Sequence, residues 1–176
     1  GYPYIVVNDG STDSTLDLCS KNGIPVLDLC VNLGIGGAVQ AGHKYALENG
    51  FEADVQFDGD GQHDASYIGQ LIAALEEGAD LAIGSRFIDK TSSEFKSTIM
   101  RRVGILWLSK TIRLLTGSSV ADPTSGFRAC SKRAIALYCK KYPTDYPEPE
   151  SIVDASKSGL TIREVPVSMH ERQGGI

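Results

Sequence analysis

Two aspartates one residue apart, Asp58 and Asp60, are the residues of this chain whose type and spacing most directly suggest chemistry. They follow an apolar run, and strand side chains alternate with a period of two, so both carboxylates would point to one side. Such a pair suits a divalent cation, Mg²⁺ or Mn²⁺, which binds carboxylate oxygens and keeps room for substrate phosphates. Gln62 offers a neutral oxygen at the next alternate position. The alternative interpretation is an acidic, glycine-rich surface turn.

The composition predicts one soluble globular domain, since 41% of the 176 residues are hydrophobic and 22% are charged. The net charge of -5 argues against a nucleic-acid partner held by bulk electrostatics. It also means that binding a phosphorylated substrate requires a metal or local basic residues. The four cysteines include no Cys-x-x-Cys pair, which predicts buried reduced thiols in a cytosolic protein rather than a zinc site.

Apolar runs alternate with helical patterns, which predicts an α/β fold with a mostly parallel sheet flanked by helices. Open parallel sheets bind ligands at the carboxyl ends of their strands. Because polar residues follow these runs, we expect Asp9, Asp58, Asp60 and Arg86 along one edge of the sheet. The predicted strands span 4–7, 24–29 and 80–87, with another ending at 58, and the predicted helices span 13–22, 38–49 and 66–77.

A glycine-rich stretch containing Gly34 and Gly36 precedes the second of these helices. Glycines at a helix start let a ligand approach the backbone, and the helix N-terminus favours negative charge. The stretch lacks the Gly-Lys-Ser/Thr of a Walker loop and the third glycine of a dinucleotide fingerprint. Close packing of the helix on the sheet explains these glycines equally well.

The second half of the chain begins with a long helical pattern over 95–115, in which apolar and basic residues are interleaved. This helix could lie on a membrane surface, or it could pack on the sheet with a solvated basic face, which we favour. After it we expect a loop at 122–128, a helix over 132–141, a stiff proline-containing connection, a helix over 150–158 and a strand over 160–167.

Five motifs follow one another in the order found in glycosyltransferase family 2, and the chain resembles that family. They are Val7-Asn8-Asp9-Gly10-Ser11-Thr12-Asp13, Asn32-x-Gly34-x-Gly36-x-Ala38, Asp58-x-Asp60, Gly84-Ser85-Arg86 and Ser125-Gly126-Phe127-Arg128. The stretch from Asp58 to His63 is most similar to polyprenyl-phosphate mannosyl- and glucosyltransferases. The Pro-Glu-Pro-Glu stretch is similar to bacterial cell-surface polysaccharide enzymes. The family usually opens with one more strand, so we expect this chain to begin after it.

The resemblance implies a GT-A fold and transfer of a sugar from a nucleotide diphosphate sugar, with inversion at the anomeric carbon. It places Asp9, Gly34, Gly36, Asp58 and Arg86 at the nucleotide sugar. A cation, Mg²⁺ or Mn²⁺, would be held by the residues Asp58, Asp60, Gln62 and His170.

The resemblance leaves the acceptor open between a sugar hydroxyl and a polyprenyl phosphate. A sugar hydroxyl requires a carboxylate base, for which Asp122, Glu148 and Glu150 are the candidates. We favour Asp122 because it precedes the Ser-Gly-Phe-Arg turn, although a cap or turn role is comparable. A lipid phosphate is already an anion, and in that case Arg128 and Arg172 matter more, as anion clamps.

The expected enzyme is a hexosyltransferase in the cytoplasm, at the inner face of the cell membrane, in which residues 1–87 bind the donor and 88–176 the acceptor. Two rival classes share part of the pattern. A sugar-1-phosphate nucleotidyltransferase would release pyrophosphate instead of a nucleoside diphosphate. A non-catalytic domain would bind nucleotide sugars without turnover.

Overall fold

The computed structural model describes residues 1–88 and 99–170, with the backbone alone for 99–102. The start of the helix predicted over 95–115 and the candidate clamp Arg172 lie outside the described residues. The strands are β1 (Val6–Asn8), β2 (Val26–Asp28), β3 (Ala53–Gln56), β4 (Leu81–Ser85), β5 (Arg128–Ser131) and β6 (Ile162–Pro166). The α-helices are α1 (Thr15–Lys21), α2 (Gly34–Glu48), α3 (Ile68–Glu76), α4 (Ile99–Thr116), α5 (Lys132–Lys140) and α6 (Pro147–Lys157).

The strands form two sheets, and the larger one contains an antiparallel strand that the sequence did not predict. β1 and β2 form a parallel pair, while the larger sheet has the order β3-β5-β4-β6. The predicted α/β class is confirmed, but the larger sheet is mixed, because β5 lies antiparallel between β3 and β4. No strand was predicted between the loop at 122–128 and the helix over 132–141, since four residues without an alternating apolar pattern give no local signal. Its pairing with two other strands decides its conformation.

The helix α6 corrects a second prediction. Pro147 and Pro149 were expected in an extended connection, yet they form the first turn of α6. Proline is tolerated there because the first backbone N–H groups of a helix have no partner within the helix. The helix therefore begins three residues earlier than the expected start at 150.

Two apolar layers cover the two faces of the larger sheet, and the alternation of side chains along β4 explains both. Leu81 and Ile83 belong to the layer under α2, α5 and α6. Ala82, between them, belongs to the layer under α3, together with Phe127. All five residues of β4 are buried, as expected for the interior strand of a covered sheet.

The strand register brings several chain segments to one edge of the larger sheet. Gln56 at the end of β3 pairs with Arg128 at the start of β5, and Ser85 at the end of β4 pairs with Pro166 at the end of β6. The segments after β3, β4 and β6 and the segment before β5 therefore meet there. Strands from both predicted halves share this sheet. Among the helices that the structure describes, none combines the length and apolar character needed to cross a membrane.

Candidate active site at one edge of the sheet

The loop that follows β3 holds Asp58 through His63. The backbone N–H of Asp58 donates to Nδ1 of His63 over 3.2 Å, which places the remaining ring proton on Nε2 if the imidazole is neutral. Burial lowers the pKa of His63, against the opposing effect of the nearby carboxylates, and so favours that neutral form. The ring stacks on Phe127 with centroids 4.9 Å apart. His63 thus fixes the position of Asp58.

The same loop is joined to the segment that follows β6. The backbone N–H of Gln62 donates to Oδ1 of Asp60 over 3.0 Å, and the backbone N–H of His170 donates to the carbonyl of Gln62 over 2.9 Å. An isolated bridge also pairs His63 with Met169. His170 therefore lies beside the carboxylate loop, although 108 residues separate it from Gln62.

The donor set of this loop fits a hard divalent cation. Asp58 keeps 39% of its side chain exposed, and Asp60 lies two residues away on the same turn. Mg²⁺ and similar ions take one or two carboxylates and fill the other positions with water and substrate phosphates. Within the described ranges, the one group of three His, Cys, Asp or Glu donors within 4.8 Å of one another lies elsewhere, so Asp58, Asp60 and His170 are not preassembled.

Gly126 leaves the space that the Asp58 carboxylate occupies. A Cβ atom at position 126 would lie 2.8 Å from Oδ2 of Asp58, closer than side-chain contacts allow. The turn before β5 therefore needs glycine there so that the carboxylate can occupy its position. Sequence reasoning found the Ser-Gly-Phe-Arg turn but gave no reason for its glycine.

Arg86 and Asp122 form a buried, two-pronged ion pair next to this loop. Nε of Arg86 donates to Oδ2 of Asp122 over 2.7 Å, and NH2 donates to Oδ1 over 2.8 Å. The Asp122 side chain has no exposed surface, and that of Arg86 has 6%. Both carboxylate oxygens are thus engaged by the guanidinium, and Glu164 accepts the backbone N–H of Asp122 over 2.9 Å. In this arrangement Asp122 positions Arg86, and its carboxylate is buried away from solvent.

Arg128, predicted to meet phosphate or acceptor charge, is also buried. Its guanidinium donates to the carbonyls of Ser125 and Pro123 and to the hydroxyl of Ser151, at 2.7, 3.2 and 2.8 Å. These bonds tie the turn before β5 to α6. The geometry gives Arg128 a positioning role in the turn that carries Gly126, and it leaves 3% of the residue exposed.

Asp9 lies at the end of β1 and holds the start of α2. Its Oδ1 accepts the backbone N–H of Leu33 over 2.6 Å, and its carbonyl accepts Nδ2 of Asn32 over 2.9 Å. The motif that ends β1 and the glycine-rich stretch, which are more than twenty residues apart, thus form one unit. Asp9 keeps a second carboxylate oxygen and is partly exposed.

The two glycines at the start of α2 have different physical roles. Gly34 has a φ of 75°, a left-handed conformation that favours glycine, and nothing lies within 4 Å of a Cβ built on it. A Cβ on Gly36 would lie 2.1 Å from the carbonyl oxygen of Pro143. Gly36 therefore permits close packing against the loop after α5, and not against the sheet as the alternative had it, while Gly34 leaves room for a ligand.

The remaining candidate bases lie on α6. Glu148 and Glu150 both occupy the first turn of that helix, where the helix dipole stabilises negative charge. Glu150 is exposed and Glu148 is half-buried. Ser151, which accepts from Arg128, donates to the carbonyl of Glu148 over 3.0 Å and so connects this turn with the buried arginine.

Comparisons with known proteins agree with this geometry. The family model described as Glycosyl transferase family 2 matches residues 2–138. Polyprenol monophosphomannose synthase of Mycolicibacterium smegmatis is 30% identical over 192 residues, covering 98% of this chain and 68% of its own length. UDP-N-acetylglucosamine--dolichyl-phosphate N-acetylglucosaminyltransferase of Methanococcus voltae is 34% identical over 187 residues, covering 93% and 72%.

A solved structure shows the same fold. Glucosyl-3-phosphoglycerate synthase of Mycobacterium tuberculosis, crystallised with Mn²⁺, UDP and glucosyl-3-phosphoglycerate, superposes with a TM-score of 0.71 at 21% identity. The match covers 98% of this chain but 61% of the solved chain, so this chain spans about three fifths of that protein. The fold that the motifs predicted, GT-A, is confirmed, and the chain belongs to glycosyl transferase family 2.

Proposed function

We propose that this glycosyltransferase moves a sugar from a nucleotide diphosphate sugar to a polyprenyl phosphate at a membrane surface, with inversion at the anomeric carbon. The observation that carries the proposal is the carboxylate loop, Asp58 to Asp60, placed beside the segment of His170 at the ligand-binding edge of the sheet. The names of the two relatives, which act on polyprenol and dolichyl phosphate, support the choice of acceptor.

On the donor side, we assign Asp58 and Asp60 to a Mg²⁺ or Mn²⁺ ion, with Gln62 and His170 as further candidate ligands. When bound, this ion would stabilise the negative charge that the departing diphosphate gains in the transition state. The protein contributes by holding the Asp58 carboxylate in place before the ion binds. His63 holds the backbone of Asp58, and Gly126 leaves the space that its carboxylate occupies.

On the acceptor side, the burial of Asp122 supports a phosphate acceptor. A sugar hydroxyl must lose a proton during attack, whereas a phosphate monoester is already ionised and attacks without a strong base. The favoured base is fully buried and bound to Arg86, so an acceptor that needs no base agrees with the geometry. With such an acceptor, Glu148 and Glu150 are not needed as bases, and their negative charges can stabilise the N-terminus of α6.

The outer face of α4 supports contact with a membrane. Ile105 and Ile112 are buried, whereas Leu106, Trp107 and Leu114 are exposed, Trp107 to 72%. Lys110 lies among these apolar side chains. The helix thus packs through its inner face, against α6, and it presents an outer apolar and basic face that suits the interface of an anionic bilayer. A polyprenyl phosphate is embedded in that interface.

Product analysis tests the proposal. The chain is incubated with Mn²⁺, a panel of nucleotide diphosphate sugars and a polyprenyl phosphate in detergent, and the organic phase is examined for sugar. We expect equimolar lipid-linked sugar and nucleoside diphosphate, with the anomeric configuration of the product opposite to that of the donor. Release of pyrophosphate would indicate a nucleotidyltransferase. Binding without transfer would indicate a non-catalytic domain, and preference for a neutral glycolipid would overturn the phosphate acceptor.

A further inference from the structure

A polar cluster lies inside the apolar layer between α2 and the larger sheet. It consists of His43 on α2, Asp54 on β3 and Cys130 on β5. Asp54 and Cys130 are direct cross-strand partners, so their side chains leave the same face of the sheet, the face that α2 covers. Nδ1 of His43 lies 2.6 Å from Oδ2 of Asp54, and one donor atom from each of the three residues lies within 4.8 Å of the others.

The cluster is separate from the carboxylate loop. Asp54 precedes Asp58 by four residues, which corresponds to about 13 Å along an extended strand. Its partner Cys130 lies in turn two residues into β5, away from the edge where that strand begins. None of its three residues belongs to the motifs that the proposed transfer reaction uses.

The Cys130 thiol interacts with the carboxyl group of Asp54, yet one oxygen of that group lacks a hydrogen-bond partner. Oδ1 of Asp54 is buried and has no hydrogen-bond partner among the described residues. Buried polar atoms in proteins almost always have one, because an unsatisfied group loses its hydration without compensation. The neighbours here are His43 and Cys130, both less than one-twentieth exposed. A ligand that binds oxygen, nitrogen and sulfur together would satisfy the site.

Zinc is the ion that suits this donor set. A thiolate, an imidazole and a carboxylate are its usual protein ligands, and sulfur disfavours Mg²⁺ and Mn²⁺. Typical metal–ligand lengths of about 2.0–2.3 Å place ligand atoms roughly 3.3–3.8 Å apart. On binding, Nδ1 of His43 and Oδ2 of Asp54, which are 2.6 Å apart, would therefore separate, and donor atoms farther apart, within the 4.8 Å limit of the cluster, would draw closer. The carboxylate and a thiolate together carry the charge that a dication would neutralise in this buried position.

We propose that His43, Asp54 and Cys130 bind one Zn²⁺ ion, which ties α2 to β3 and β5. On binding, the Cys130 thiol releases its proton to solvent, and Nδ1 of His43 binds the metal while the imidazole proton resides on Nε2. The rings of Tyr138 and Tyr142, with centroids 5.3 and 5.4 Å from that of His43, hold the imidazole in orientation. The absence of a Cys-x-x-Cys pair, which argued against zinc, does not bear on a site assembled from three distant segments.

Cobalt titration tests this site, because a thiolate bound to Co²⁺ gives a near-ultraviolet charge-transfer band that carboxylate sites lack. The full chain is stripped of metal with a chelator and titrated with Co²⁺, followed by competition with Zn²⁺. We expect one equivalent to produce the band, Zn²⁺ to abolish it, and Zn²⁺ to raise the melting temperature. A chain that gives no band overturns the proposal.

The variants separate this site from other thiols and from the carboxylate loop. Cys130→Ser should lose the band, whereas Cys30→Ser, at an exposed cysteine, should retain it. Asp54→Asn preserves shape and should weaken Co²⁺ binding at least about tenfold, which keeps the test valid if Cys130→Ser folds poorly. Asp60→Asn should leave the band unchanged. A band that persists in Cys130→Ser would assign it to another cysteine and overturn the site.

Discussion

The position of the Asp58 carboxylate depends on one residue that is near in the sequence and on another that is far along the chain. His63 is five residues away and accepts its backbone N–H, while Gly126 lies 68 residues further along the chain and leaves the space for Oδ2. The sequence identified the Asp-x-Asp pair from its spacing, because a period of two is a local property of an extended chain. It gave no reason for Gly126, because that contact exists only when β5 pairs with β3.

The first prediction concerns the proposed metal ligand Asp60. We expect Asp60→Asn to lower the rate of sugar transfer by about 10²–10³, because a preorganised charge that acts on the departing diphosphate is lost. The Mn²⁺-dependent increase in melting temperature with nucleotide sugar should disappear as well. Thermal shift and transfer assays measure the two effects.

The matched control is Asp17→Asn, which removes the same charge from an exposed position in the first turn of α1. It should leave both readouts unchanged. An Asp60→Asn chain that keeps the full Mn²⁺-dependent shift would exclude Asp60 as a ligand.

The second prediction concerns the buried pair of Arg86 and Asp122. We expect Asp122→Asn to lower the free energy of unfolding by about 3–5 kcal/mol, because the variant removes the carboxylate charge that two guanidinium nitrogens of buried Arg86 bind. Urea denaturation measures the change. The surface pair of Lys132 and Glu52 serves as the control, since both side chains are more than half exposed, and Lys132→Ala should cost less than about 1 kcal/mol. Equal costs for the two variants would contradict the buried-pair interpretation.

At the scale of elements, α2 shows how one helix start serves packing and binding together. Its first residue, Gly34, adopts the left-handed conformation, and its backbone is held by Asp9 through Leu33. Gly36, half a turn further, touches the backbone at Pro143 and Thr144. From sequence, ligand approach and close packing explained both glycines equally well. Only the contact of Gly36 with the loop after α5 shows that the two glycines have different roles.

The third prediction follows from that contact. Gly36→Ala should lower the free energy of unfolding by several kcal/mol, because a Cβ at 2.1 Å from the Pro143 carbonyl forces backbone to move. Gly42→Ala is the control within the same helix. Its Cβ would meet Val7 at an ordinary 3.7 Å, so the better helix propensity of alanine should stabilise the chain by about 0.5–1 kcal/mol. Similar melting temperatures for the two variants would contradict this packing.

The fourth prediction concerns the outer face of α4. Trp107 is the only tryptophan of the chain, so its emission reports on this face alone. We expect a blue shift when the chain is mixed with vesicles of anionic lipid, because the indole would leave water for the interface. Neutral vesicles should give a smaller shift, since Lys110 and Arg113 contribute attraction to anionic headgroups.

Leu114→Glu should weaken this vesicle binding at least about tenfold, because it removes an apolar group from the buried contact. Leu18→Glu makes the same change at an exposed site on α1 and should leave binding unaffected. An emission maximum that does not move with any vesicle would exclude α4 as the membrane contact.

At the scale of the whole molecule, the apolar core is unevenly distributed. Both buried apolar layers are formed by residues from α2 onward, and none of the described residues of β1, α1 or β2 belongs to them. β1 and β2 pair only with each other among the described strands, while α2 packs against both β1 and β3. The sheet of β1 and β2 therefore depends on α2 for its attachment to the larger sheet.

The fifth prediction follows from this distribution. Backbone amides of β1 and β2 should exchange with deuterium at least about tenfold faster than those of β4 and β5, because they are covered by fewer buried apolar groups. Hydrogen exchange measured by NMR or mass spectrometry gives the comparison directly. Equal protection of the two sheets would show that the first sheet is as firmly attached as the second.

The sequence by itself determined the family, the alternation of strands and helices, and the acidic pair after β3. These are local patterns, set by the spacing of residues along a strand or a helix. The tertiary structure alone decided that β5 is a strand, that Asp122 is buried against Arg86 and that His170 lies beside Gln62. It also placed His43, Asp54 and Cys130 together. Those relations join segments tens of residues apart, and their energies come from pairing and burial that no single stretch of sequence contains.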